Sequence, residues 1–226
     1  SITSTVSANA DAGFSIVSFT GTGVNGATIG HGLSFKPDLI IVKGRQTPWD
    51  WIVYTSSQGA TKFNRFNQTN STETNIGAWN NTEPTSSLVT LGNGFTAVNE
   101  NNKGFIAYCF HSVDGYSKVG SYTGNGSADG TFVYTGFRPA YVMIKRTDST
   151  GDWYVWDSVR NEYNLVTRNL VPNKTNTEFV GTSNYTLDFT SNGFKHRGSG
   201  GDVNASGGSY IYLAFAENPF KYTNAR

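Results

Sequence analysis

The chain has 226 residues and a formal net charge of +1, with 37% hydrophobic, 14% aromatic and 15% charged residues. Such a balance, with no clustered basic face, argues against nucleic acid as a partner, and no apolar run approaches the length of a membrane span, so no membrane insertion is expected. Low charge with abundant Gly, Ser, Thr, Asn, Tyr and Phe is the composition of an all-β protein, because the strong helix formers are scarce.

In chain order, residues 1–12 read as a polar lead-in or linker, as at the end part of a longer protein. GFSIVSFTG (13–21) is the first strand candidate, stopped by a Thr-Gly-Thr-Gly run, and ATIGHGL (27–33) is a weaker one. KPDLIIVKG (36–44) is the strongest: consecutive apolar residues point to burial on both faces or to a sandwich-core strand. Pro37 suits the first residue of a strand. DWIVYTS (50–56) is expected to pair antiparallel with it. A polar stretch, 57–87, follows, with Phe63, Phe66, Ile76 and Trp79 as its apolar anchors. LVTLGNGFTAV (88–98) reads as a strand broken at its Gly-Asn-Gly turn, and GFIAYCFHS (104–112) as the closing strand.

The order then starts again. YSKVGSYTG (116–124) answers GFSIVSFTG, and GTFVYTGF (130–137) stands where ATIGHGLSF stood. FRPAYVMIKRTDSTGDWYVWDS (137–158) answers FKPDLIIVKGRQTPWDWIVYTS (35–56), with Pro37, Lys43, Asp50 and Trp51 matched by Pro139, Lys145, Asp152 and Trp153 about 102 positions on. NLVTRNLV, TLDFTSNGF and SYIYLAF complete the second set, before a short tail, 217–226. The expected fold is therefore all-β: an internal duplication of two tandem antiparallel β-sandwich-like units, 13–115 and 116–226, with little or no helix. Two separate sandwiches and one composite sandwich both fit the pattern.

A duplication sorts residues. Positions present in both units serve the fold that both need, so Trp51, Trp153, Tyr54 and Trp156 read as core anchors. Trp49 and Trp79 have no partner in the second unit. An exposed Trp on a loop is a sugar platform, since its face stacks on the apolar side of a pyranose and its N–H donates; the other reading is that both cover the core of unit one. Tyr163 is the nearest loop aromatic of unit two. These three are the candidate ligand-binding residues.

No catalytic set emerges. His31 lies between glycines and reads as a turn residue bonded to backbone, and His111 sits at a strand end. Cys109, the single cysteine, lies in an apolar strand and reads as a buried thiol. Asp50 and Asp152 read as turn caps bonded to backbone, and Asp157 with Arg160 as a local structural pair. The Gly-rich runs 124–130 and 198–208 lack the P-loop lysine and following helix. Asp129, Asp202 and Asn204 offer oxygen atoms, but with one carboxylate per loop. No catalytic residue, metal site or cofactor is assigned.

The segments YSKVGSYTGNGSADGTFVYTGFRPAYVMIKRTDSTGDWYVWDSVR and SGGSYIYLAFAENPFKYTNAR resemble a domain family at the C-terminal ends of tailed-bacteriophage tail-fibre and related virion proteins. SIVSFTGTG, GHGLSFKPDLIIVK and GFIAYCF resemble its first half. The resemblance implies a virion location, adhesion or assembly, other phage virion proteins as partners, and a homo-oligomer (the trimer usual for such fibres). With no catalytic cluster in the sequence, the expected function is a non-enzymatic structural or receptor-binding module, with a host cell-surface glycan as a candidate partner. An enzyme degrading host polysaccharide and a purely architectural fibre or capsid-decoration piece are the alternatives.

Overall fold

The computed structural model describes residues 1–180 and 184–218. The chain divides into two compact units. The first runs from Ser1 to Gln68 and from Thr72 to Ser112; the second is the chain from Val113 on, together with Thr69–Ser71.

Unit one contains β1 (Ser4–Asn9), β2 (Phe14–Thr20), β3 (Ala27–Gly30), β4 (Leu39–Gly44), β5 (Ile52–Thr55), β6 (Lys62–Arg65) and β7 (Glu73–Thr74). The one-turn helix α1 (Ile76–Trp79), β8 (Leu88–Leu91), the one-turn helix α2 (Thr96–Asn99) and β9 (Gly104–Phe110) follow. Its main sheet has the order β1-β2-β9-β4-β5-β6-β7, and β3 pairs with β8 in a smaller sheet. Alternation decides which residues turn inward. Val17, Phe19, Ile40, Val42, Ile52 and Tyr54 come from one face of the main sheet and meet Ile29, Val89 and Leu91 of the smaller one in a single core.

Unit two contains β10 (Ser117–Thr123), β11 (Phe132–Tyr134), β12 (Pro139–Arg146), β13 (Trp153–Asp157) and β14 (Arg168–Asn169). Then come β15 (Phe179–Val180), β16 (Leu187–Thr190), β17 (Gly193–His196), the one-turn helix α3 (Gly201–Asn204) and β18 (Ser209–Ala216). Its main sheet has the order β10-β18-β12-β13, opposed by a three-stranded sheet β11-β17-β16. Val142, Ile144, Tyr154, Trp156, Tyr210 and Tyr212 face Val133, Leu187, Phe189 and Phe194 across a second core. In β12, β13 and β18 both faces are buried, as the unbroken apolar runs require.

The order β10-β18-β12-β13 is also the order β2-β9-β4-β5 inside unit one. Side-chain clamps recur as well. Asn99 is buried; its Oδ1 accepts from Thr22 N (2.9 Å), and its Nδ2 donates to Val24 O (3.0 Å) and Gly92 O (3.2 Å). Asn204 is buried; its Oδ1 accepts from Asn125 N (3.1 Å), and its Nδ2 donates to Ser127 O (2.9 Å) and Gly198 O (3.0 Å). Both clamps need a glycine beside them. A Cβ on Gly21 would lie 2.3 Å from Glu100 O, and one on Gly124 2.4 Å from Ala205 O.

The Asp-Trp turns match too. Asn67 accepts from Trp51 N (3.0 Å) and donates to Asp50 (2.7 Å); Asn173 accepts from Trp153 N (2.9 Å) and donates to Asp152 (2.8 Å). The two aspartates thus hold the turn through an asparagine rather than by the expected direct bond to backbone, because a downstream Asn reaches the Trp N–H first.

Several expectations change. Residues 1–12 are no linker: Ser4–Asn9 pair along β2, and Ile2 is buried. This edge strand is mostly exposed, so no hydrophobic alternation marks it. The second half of 88–98 is the helical turn α2 rather than strand. Trp153, Tyr54 and Trp156 are buried anchors, but Trp51 is half-buried and stacks on Tyr108 (6.4 Å between centroids). Most of the tail, 219–226, lies outside the described residues.

Candidate functional site

The smaller sheet of unit two has a clear inner and outer face. Val133, Phe194, His196, Leu187 and Phe189 point inward and are buried. The register places Phe132 opposite Lys195 and Tyr134 opposite Gly193, and then Lys195 opposite Asp188 and Gly193 opposite Thr190. Period-2 alternation therefore puts Phe132, Tyr134, Lys195, Gly193, Asp188 and Thr190 together on the outer face. Phe132 is 45% exposed and Tyr134 66% exposed.

Phe132 lies against a glycine: a Cβ added to Gly193 would stand 3.1 Å from its ring. Tyr134 borders Gly136 in ordinary contact, its hydroxyl 3.7 Å from where a Cβ would be. Successive same-face residues of a strand are about 6.7 Å apart, so the two side chains form a short aromatic strip along β11.

The charged groups around the strip are paired among themselves. Lys195 Nζ lies 2.6 Å from Asp129, and Arg197 Nε 2.5 Å from Asp188. The Lys195 hydrogen bond holds the Asp129 carboxyl below its ordinary pKa, and Asp188 raises that of Arg197. Thr190 Oγ1 donates to Gly193 O (2.9 Å). Behind the strip, His196 is fully buried and neither ring nitrogen has a hydrogen-bond partner; burial pushes its pKa down to about 3. It is a neutral packing ring, 5.2 Å from Tyr122 and edge-on to Phe194 at 5.7 Å.

The corresponding sheet of unit one carries no such strip. Gly32 and Gly136 both have positive φ (71° and 90°) and follow the smaller-sheet strands β3 and β11. Counted from them, Thr28 and Gly30 occupy the places of Phe132 and Tyr134.

The three candidate residues named from the sequence fare differently. Trp79 is buried: its ring lies edge-on to Tyr54 (5.8 Å), and its indole N–H donates to Lys62 O (3.2 Å). It is a core residue and offers no platform, because α1 folds its polar surroundings down onto the sheet. Trp49 is 41% exposed, but its indole N–H already donates to Glu100 (2.6 Å). Tyr163 is 75% exposed on the loop between β13 and β14, with its hydroxyl 3.4 Å from Glu162. Trp49 belongs to unit one and Tyr163 to unit two, each on a loop.

The strand reading of GTFVYTGF does not by itself single out Phe132 and Tyr134. The signal was present: two aromatics flank an apolar Val in strict alternation, and the other unit has Thr and Gly there. The remaining chemistry is absorbed by structure. The Cys109 thiol is buried and pushed up to about 12. His31 accepts from Leu33 N (3.2 Å) and contacts Thr85 O (3.2 Å). Asp157 pairs with Arg160 (2.6 Å). Asp50 engages Arg65, which also reaches Glu73 (2.6 Å). A groove of about 310 Å³ lined by Ile2, Thr22, Val24, Asn25 and Ala27 carries no charged side chain.

A family-wide sequence comparison matches residues 1–219 to the family described as Domain of unknown function (DUF7483). The chain belongs to this family. No curated protein and no solved structure matches it. The residues of this DUF7483 chain offer two exposed aromatic side chains on one strand of unit two, beside paired charges.

Proposed function

We propose that this DUF7483 chain is a non-catalytic adhesion module of a tailed-bacteriophage virion, a tail-fibre or receptor-binding domain that contacts the host cell surface. The observation that carries the binding part is the exposed Phe132–Tyr134 strip, built in one unit only, on a scaffold both units share. The two units are read as descendants of one duplicated unit, on the common strand order and the paired clamps. The phage setting, the partner virion proteins and a homotrimer follow from the sequence resemblance. The non-catalytic part is supported by how the carboxylates are used: Asp152 on Lys174 (2.5 Å), Asp188 on Arg197 (2.5 Å), Glu178 on Arg168 (2.9 Å). Glycoside hydrolysis needs two carboxyl groups facing each other across a cleft, with one free to take up or give a proton.

The test is to apply the purified chain to a panel of bacterial strains, follow cell binding, and measure its mass in solution. Saturable binding with no release of reducing ends from surface polysaccharide is expected. A chain that binds no strain, or one that liberates reducing ends, sinks the reading.

A further inference from the structure

Resting on that adhesion reading, we infer that the outer face of the β11-β17-β16 sheet in unit two is the ligand site, and that it takes an uncharged glycan. Four features point there. First, Phe132 and Tyr134 lie on the same face of one strand, 45% and 66% exposed. Flat apolar rings stack on the C–H faces of sugar rings, and their spacing along the strand lets one chain of sugars touch both.

Second, Phe132 lies against the strand beside it: a Cβ on Gly193 would stand 3.1 Å from its ring, so a side chain there would push the ring aside. A ring kept in one place loses less rotamer freedom on binding.

Third, the surrounding charges choose the ligand class. Lys195 and Arg197 are matched by Asp129 and Asp188 at 2.5–2.6 Å. The face has two positive and two negative groups and so no net charge to attract an anionic or cationic polymer. An uncharged, hydroxyl-rich ligand instead finds carboxylate and guanidinium atoms able to bond further without separating charge.

Fourth, the strip belongs to unit two alone. Thr28 and Gly30 stand in its place in unit one, so neither ring is needed to build the smaller sheet of such a unit.

The experiment uses the full chain on an array of immobilised neutral and anionic bacterial oligosaccharides. The variants are Phe132→Leu, which keeps an apolar cover over Gly193 but loses the flat ring; Tyr134→Ala; Tyr134→Phe, which keeps the ring; and Thr28→Ala and Trp49→Ala as controls. Thermal unfolding checks that each variant is folded. Binding to neutral spots is expected, weakened about tenfold or more by Phe132→Leu and by Tyr134→Ala and kept by the other three. A silent array, binding confined to anionic spots, or undiminished binding by Phe132→Leu and Tyr134→Ala overturns the inference. Whole bacterial cells separate it from the reading beneath it. Cells bound equally well by wild type and Tyr134→Ala overturn the site but leave adhesion standing, whereas cells bound by neither overturn adhesion itself.

Discussion

Unit one and unit two build one strand order and then close it differently. In both, a four-strand run carries the core, a buried asparagine ties two Gly-rich loops together, and an Asp-Asn-Trp turn follows. Unit one extends its sheet outward with β1, β6 and β7 and keeps a two-stranded smaller sheet; unit two adds a third strand there and dresses its outside with Phe132 and Tyr134. Identical buried polar groups in two units mean that the fold itself demands them. Different exposed groups at corresponding places mean that the fold does not, and there a specific use has room to develop.

The sharpest break of this comparison is at the tryptophans of unit one. Trp79→Ala removes a fully buried ring and should cost about 4 kcal/mol of unfolding free energy, whereas Trp49→Ala, half in solvent, should cost about 1 kcal/mol. Urea unfolding distinguishes them; equal losses would show that Trp49 is as much a core residue as Trp79. Next come the clamps. Asn99→Ala and Asn204→Ala each leave an N–H and two C=O groups of the loops without their partner and should each cost about 3 kcal/mol. A negligible loss for one of the pair in the same assay would mean that the clamp is not a shared requirement.

A smaller contrast concerns acid. Unfolded His196 takes up its proton near its ordinary value of 6.5, while the folded ring withholds it until about pH 3. Between those values the unfolded state binds more protons, so stability falls as pH falls. From pH 7 to pH 5 this single group should remove about 2 kcal/mol, and His196→Leu should flatten that part of the urea-midpoint profile. In unit one, burial also lowers the pKa of His31, with the same sign, but both its ring nitrogens have partners. An unchanged pH profile in His196→Leu would remove the asymmetry. The least perturbing test is chemical: Cys109 should ignore a thiol reagent at pH 8 and react only on unfolding, because its thiol is fully buried. Fast native labelling would show that the β2-β9 seam opens.

Much of the scaffold was legible. The apolar run before Lys43, and its counterpart before Lys145, announced the central hairpins, and the pairs β4-β5 and β12-β13 form as expected. His31 and Cys109 also lie where local pattern put them. The site was less legible. Trp79 looked like a surface ring because its neighbours in sequence are Asn, Thr and Ser, yet one turn of helix is enough to drive it inward. β1 escaped notice because an edge strand exposed on both faces shows no hydrophobic period.

The sequence by itself determined the all-β class, the two successive sets of strands and the central hairpins, because alternation, Gly turns and matched Asp-Trp corners are local properties written residue by residue. Only the tertiary structure decided which polar side chains are clamps, which tryptophan is core, and which aromatics face outward. Those outcomes depend on what the other sheet and the distant loops bring against each position. Asn99 meets Thr22 and Asn204 meets Asn125 across sequence separations of 77 and 79, and Phe132 is exposed because the pairing of β11 with β17 turns Val133 into the core and its neighbours outward.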